Sequence, residues 1–294
     1  MFSGSITALI TPFHDDGSID ETSWLNLLDW HLAAGTDGVV VAGTTGESVT
    51  LSEVEFRRLL SLAIERVQSG MKILAGTGSS STAESIIRTR LAADLGADAA
   101  LVVTPAYNRP TQRGLESHYL AVADSTDIPI VLYNVPARTA CDLKPETVAN
   151  LSRHSSIVAI KEAVADPSRV QALLDTGLPM LSGDDASACE SVLAGAAGVI
   201  SVAANIVPQS FSRLCGLAKR GQADAARAID QELAELYAFL GVESNPIPAK
   251  WLLHRMGRIN ASLRLPLTAL DQAYRAEADE LISRLRLDVA RDVA

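Results

Sequence analysis

The chain has 294 residues, 48% hydrophobic and 20% charged, with a formal net charge of −10. That length and apolar content suit one large α/β domain and argue against disorder, while an acidic balance without any basic block disfavours nucleic acid as a partner. Three separated cysteines (Cys141, Cys189, Cys215) and five scattered histidines give no disulfide framework and no metal-ligand spacing. The residues from Met1 to Ser5 do not open a signal peptide and no apolar run could span a bilayer, so a cytoplasmic protein with no metal and no membrane partner is expected.

Short apolar runs recur at residues 6–10, 38–42, 72–75, 99–103, 129–133, 157–161, 180–182 and 199–202. Each has the length of a strand buried on both faces of a parallel sheet. Helical patterns lie between them, at 22–34, 52–67, 83–95, 114–123, 145–151, 168–174 and 186–193. The second opens on Ser52 as a cap and aligns Phe56, Leu59, Leu60, Ala63, Ile64 and Val67 on one face. This alternation predicts an α/β fold, a (β/α)8 TIM barrel over residues 1–220. A doubly wound open sheet competes, but it uses fewer strands, and no G-x-G-x-x-G follows the first one. After Val207 the pattern is helical only, with stretches at 222–240, 249–256 and 270–285. Residues 221–294 are therefore expected to form a C-terminal helical extension, packed on the barrel or on a partner subunit, with a frayed tail over 286–294.

Barrel enzymes assemble their chemistry at the C-terminal strand ends. Lys161 ends the run Ile157-Val158-Ala159-Ile160. Burial disfavours an ammonium and leaves a free amine, which is a nucleophile able to form a Schiff base. The alternative is a lysine whose stem packs on the strand while its head reaches water. The other strand ends are Gly43-Thr44-Thr45-Gly46-Glu47, Gly76-Thr77-Gly78, Thr104-Pro105-Ala106-Tyr107-Asn108, Tyr133-Asn134-Val135-Pro136-Ala137-Arg138-Thr139 and Ser182-Gly183-Asp184-Asp185. Backbone N–H groups and hydroxyls of Gly-Thr-Thr-Gly could hold a carboxylate, a tyrosine could move a proton, and Arg138 could clamp a carboxylate or form a surface ion pair. Asp184-Asp185 is read as acids directly preceding a helix, whose first turn suits them, rather than as a metal or general-base pair. The 76–81 loop lacks the Gly-Lys-Ser/Thr ending of a phosphate cradle.

These motifs, with Asn245-Pro246-Ile247-Pro248, resemble the dihydrodipicolinate synthase / N-acetylneuraminate lyase family of pyruvate-dependent class I aldolases, over residues 4–267. The paired Thr44-Thr45 and Arg138 are similar to the synthase branch. The resemblance implies that Lys161 forms an imine with pyruvate and that the derived enamine adds to L-aspartate-4-semialdehyde, giving 4-hydroxy-tetrahydrodipicolinate on the route to diaminopimelate and lysine. It implies Tyr133 as proton shuttle, in a relay through Thr45 to Tyr107. Thr44 and Thr45 would hold the pyruvate carboxylate, Arg138 the aldehyde's carboxylate, and Gly183 and Ile200 would shape the pocket. No cofactor is implied, pyruvate being bound covalently as substrate. Tyr107 would reach across a dimer interface, and two dimers would form a homotetramer. The alternatives are an N-acetylneuraminate or 2-keto-3-deoxy sugar acid lyase, or a non-catalytic barrel that binds a 2-oxo acid. Where lysine-inhibited relatives carry histidines, an asparagine and a further tyrosine, this chain has Glu53, Phe56, Ser80 and Ala106, although Ser48 and Glu84 remain. Weak or absent inhibition by lysine is expected.

Overall fold

The computed structural model describes residues 2–68 and 70–287. Eight strands, β1 (Gly4–Ala8), β2 (Gly38–Val41), β3 (Lys72–Gly76), β4 (Ala99–Val103), β5 (Ile130–Asn134), β6 (Ile157–Glu162), β7 (Met180–Ser182) and β8 (Gly198–Ser201), close into a barrel in chain order. All pairings are parallel, and β8 returns to β1 with Ile200 opposite Ile6. The helices between strands are α1 (Glu21–Ala33), α2 (Glu53–Val67), α3 (Thr82–Leu95), α4 (Gln112–Ala123), α5 (Pro136–Thr139), α6 (Pro145–Leu151), α7 (Pro167–Leu174) and α8 (Ala188–Leu193). After β8 come α9 (Pro208–Lys219), α10 (Ala223–Glu232), α11 (Ala234–Leu240), α12 (Ile247–Arg255) and α13 (Gln272–Arg284). The chain thus forms the TIM barrel that its alternating pattern predicts.

Local chemistry sets the helix starts. Ser52 accepts from the Glu55 N–H while Glu55 reaches back to the Ser52 N–H, a capping box that begins α2. Ser81, Thr111 and Asp166 cap α3, α4 and α7 by accepting a first-turn N–H, without the reciprocal bond. Side chains alternate along each strand, so Ile6, Ala8, Val40, Leu101, Val131 and Ile200 fill the barrel interior. The opposite faces of the strands join the helices in two outer clusters.

Leu236, Phe239, Leu252, Leu253 and Leu281 of the C-terminal helices belong to the same core cluster as Val199 and Phe211 of the barrel. The expected helix over 222–240 is two helices that bend at Leu233, whose N–H is shared between the carbonyls of Ile229 and Asp230. The Tyr237 hydroxyl spans the bend to Asp230 at 3.0 Å. The apolar stripe runs on through the bend, so its periodicity reads as one helix. The expected frayed tail lies, from residue 288 on, outside the described residues.

Candidate active site

Tyr133 on β5 and Lys161 on β6 are register partners at the C-terminal mouth of the barrel. Lys161 is buried, with Nζ 4.4 Å from the centre of the Tyr133 ring. On its other side the chain leaves β7 at Gly183. A Cβ there would stand 2.9 Å from Lys161 Cε and 3.1 Å from the Glu162 carbonyl, so only glycine leaves the lysine its place. The Gly183 N–H is itself tied to the Glu162 carbonyl at 2.6 Å.

The loop after β2 brings Thr44 and Thr45. Thr45 is buried, and its Oγ1 accepts from Asn245 Nδ2 at 2.9 Å. The loop is tied down at Gly46, whose carbonyl accepts from Thr11 Oγ1 at 2.8 Å, and at Glu47. Glu47 adopts a left-handed backbone (φ 54°), and its buried carboxylate meets Lys250 Nζ at 2.7 Å and the Arg264 N–H at 3.1 Å. Lys250 has no exposure and also donates to the Thr11 carbonyl at 2.9 Å. Burial pulls its ammonium down to about 8, against the pull of Glu47. The two buried lysines therefore differ in surroundings. Lys250 is held by a carboxylate and a carbonyl. Lys161 pairs with no carboxylate among the described residues and opens onto a cavity.

That cavity, of about 160 Å³, is walled by Lys161, Tyr133, Thr44, Thr45, Arg138 and Gly183, with Val202 and Asn245. It falls below the roughly 300–1,000 Å³ of pockets that take drug-sized ligands, and suits a substrate of a few heavy atoms. Arg138 reaches it from α5 with Nη2 3.4 Å from the Asn245 carbonyl. A second cavity of about 460 Å³ shares Thr44, Val135 and Arg138 and extends past Ser48, Ser80, Arg88 and Ala106. The hollow of about 640 Å³ near Ser3, Pro179 and Ala197 lies at the opposite, N-terminal strand ends, and its amine, Lys219, is exposed and donates to Ser3 Oγ at 3.0 Å. Among the described residues no three His, Cys, Asp or Glu side chains stand close enough to hold a metal ion.

Ile200 is fully buried in the barrel interior, in one cluster with Tyr133, and Val202, two residues on, lines the cavity wall. Tyr107, expected to act across a dimer interface, is 94% exposed in a left-handed conformation (φ 73°). Asp184 and Asp185 precede α8, which begins at Ala188. Asp184 accepts from the Ser187 N–H and hydroxyl, and Asp185 from the N–H groups of Val202 and Ala203, fastening the loop after β7 to the end of β8. Burial pushes the Asp185 carboxyl up. The glycines of the 76–81 loop also have a packing reason: a Cβ at Gly76 would stand 2.1 Å from the Ala42 carbonyl.

Sequence reasoning gave no role to the groups that brace the site from outside the barrel. Asn134 Nδ2 donates to both Glu162 carboxylate oxygens at 3.1 Å and to Asp142 at 3.0 Å, and Arg169 Nε donates to Glu162 at 2.8 Å. Burial pushes the Glu162 carboxyl up against the pull of Arg169. Asn134 follows Tyr133 and Glu162 follows Lys161, so this network locks the two strand ends that carry the phenol and the amine. A polar residue directly after each inward-facing one was the available signal. Lys250, inside an apolar helical stretch, was the signal for the pair with Glu47.

Residues 1–285 match the sequence profile of the Dihydrodipicolinate synthetase family. The chain is 54% identical over 282 residues to a 4-hydroxy-tetrahydrodipicolinate synthase of Xanthomonas axonopodis pv. citri (strain 306), covering 95% of this chain and 93% of that one. Its fold matches a chloride-inhibited dihydrodipicolinate synthase of Acinetobacter baumannii solved with pyruvate, with a TM-score of 0.96, 43% identity, and coverage of 98% of this chain and 100% of that one. It also matches a Cyanidioschyzon merolae enzyme of that name solved with lysine bound, with a TM-score of 0.93, 33% identity, and coverage of 97% and 98%.

Proposed function

The chain belongs to the dihydrodipicolinate synthetase family, and from that premise and the surroundings of Lys161 we propose the following account of its reaction. The protein is a pyruvate-dependent lyase that condenses pyruvate with L-aspartate-4-semialdehyde to 4-hydroxy-tetrahydrodipicolinate. The observation that carries the assignment of residues is a buried amine at a small cavity, beside a phenol and without a carboxylate partner.

The free amine of Lys161 attacks C2 of pyruvate, and loss of one water leaves the imine. Tyr133, whose ring lies against the amine, takes a methyl proton and so generates the enamine. The enamine carbon adds to the aldehyde carbon, and the new alkoxide is protonated. The substrate's own amino group then adds to the imine carbon, and Lys161 departs as the amine when the ring closes. Thr44 and Thr45 hold the pyruvate carboxylate with the loop's N–H groups, and Arg138 receives the carboxylate of the aldehyde. No cofactor enters this sequence, because the imine itself serves as the electron sink.

Tyr107 completes the proton relay from a second copy of the chain, which would account for a phenol left 94% exposed one residue after Ala106 of the second cavity. The assembly would be a homotetramer built as a dimer of dimers, working in the cytoplasm with small-molecule substrates and without nucleic acid. No helix among the described residues is long and apolar enough to cross a membrane.

Borohydride reduction in the presence of pyruvate, followed by peptide mass spectrometry, tests the chemistry. A reduced adduct on Lys161 is expected. Its absence in folded protein would favour a barrel that only binds 2-oxo acids.

A further inference from the structure

Asn245, in the segment between α11 and α12, reaches the cavity wall. Its Nδ2 donates to Thr45 Oγ1 at 2.9 Å, and its backbone carbonyl accepts from Arg138 Nη2 at 3.4 Å. Its own Oδ1 is buried and unpartnered among the described residues. The segment is anchored five residues further on, where wholly buried Lys250 joins Glu47 and the Thr11 carbonyl.

A threonine hydroxyl has one proton and two lone pairs. With a lone pair occupied by Asn245, Thr45 must give its proton elsewhere. Thr45 is 2% exposed, so bulk water is not the recipient. What remains is the cavity that Thr45 walls together with Tyr133 and Lys161. The amide orientation decides this. An oxygen in place of Nδ2 would accept the Thr45 proton and turn it away from the substrate.

We propose that Asn245 is a positioning residue: its amide turns the Thr45 proton toward the bound keto acid, and its carbonyl steadies Arg138. The inference rests on the pyruvate-imine account above. It makes the C-terminal segment part of the active site as well as of the core.

Asn245→Ala removes the amide but keeps the main-chain carbonyl. It should lower kcat about tenfold or more and raise the KM for pyruvate, while the KM for the aldehyde stays within about twofold. Asn245→Asp keeps the shape of the side chain but has no proton to give at neutral pH, and should lose at least as much. In a Thr45→Val background, Asn245→Ala should cost little more, because residues that act through one another are not additive. Unchanged kinetics in both Asn245 variants, or full multiplication of the Thr45→Val and Asn245→Ala losses, would overturn the inference. Failure of the wild-type protein to form a pyruvate adduct would instead overturn the account of the site on which it rests.

Discussion

Tyr133 and Lys161 face each other across β5 and β6, and the amine lies 4.4 Å from the centre of the phenol ring. The ring face packs on the lysine, and the role proposed for the hydroxyl is proton transfer. Tyr133→Phe separates these two uses. Turnover should fall by about 10²–10⁴, the usual worth of a general acid–base group. The borohydride-trapped adduct should still accumulate over long incubation, because the amine keeps its packing. Steady-state kinetics and endpoint mass spectrometry on the same sample check both halves.

Gly183 leaves room for the lysine stem. In Gly183→Ala the new methyl would lie 2.9 Å from Lys161 Cε and displace it. A displacement near 1 Å can cost about 10²-fold, so kcat/KM should fall by about that factor. Stability should change by about 1–3 kcal/mol, as for other overpacked sites. Normal activity in the folded variant would show that the lysine has slack.

Lys250 and Glu47 are each within 1% of complete side-chain burial. Lys250→Ala strands the Glu47 carboxylate and should cost about 3–5 kcal/mol in urea unfolding. The double variant Lys250→Met with Glu47→Gln should recover much of that loss, because neither charge is then buried alone. Equal losses in the single and double variants would place the cost in packing rather than charge.

His31 supplies a pH dependence. Burial, and secondarily Arg258, pull its imidazole from 6.5 down to about 3. Above pH 6.5 the ring is neutral in folded and unfolded chains alike, and its contribution to stability is complete. Between pH 6.5 and 3 the unfolded chain takes up a proton that the folded chain refuses, so stability falls as pH falls. His31→Gln should be destabilised at pH 7 but show a shallower decline through that window. Parallel stability curves for the two proteins, by denaturant titration at a series of pH values, would exclude His31 as the source.

At the positions compared with an effector pocket, the replaced Ser80 and the retained Glu84 are both committed to neighbours. Ser80 Oγ donates to the Ala106 carbonyl at 2.9 Å, and Glu84 pairs with Arg88 at 2.8 Å. Freeing either pair for a bound amino acid costs about 1 kcal/mol or more. Activity should persist at millimolar lysine, and half-inhibition at sub-millimolar lysine in a steady-state assay would contradict this.

The barrel was legible because each buried strand needs a continuous apolar run and each helix a capped, one-sided stripe. Lys161 stood out as an amine ending such a run. Ile200 entered only through the resemblance, because alternation in a strand tells which face a residue takes, not how near the mouth it sits. Asn245 and Lys250 had no local signature: their partners Thr45 and Glu47 lie 200 and 203 residues away, and only chain closure brings them together. The bend at Leu233 escaped notice for the reason that an apolar stripe survives a change of direction.

The pairing of Glu47 with Lys250 has a consequence for biosynthesis of the protein itself. As the nascent chain emerges, all eight strands are available before the lysine that neutralises the β2 loop. A ribosome stalled after α9 would hold a barrel whose β2 loop, two residues past the Thr45 of the cavity wall, carries an uncompensated buried acid. Cutting the gene at the barrel's end would strand the Glu47 carboxylate and take Asn245 out of the cavity wall, so the last quarter of the coding sequence should not exchange as a module.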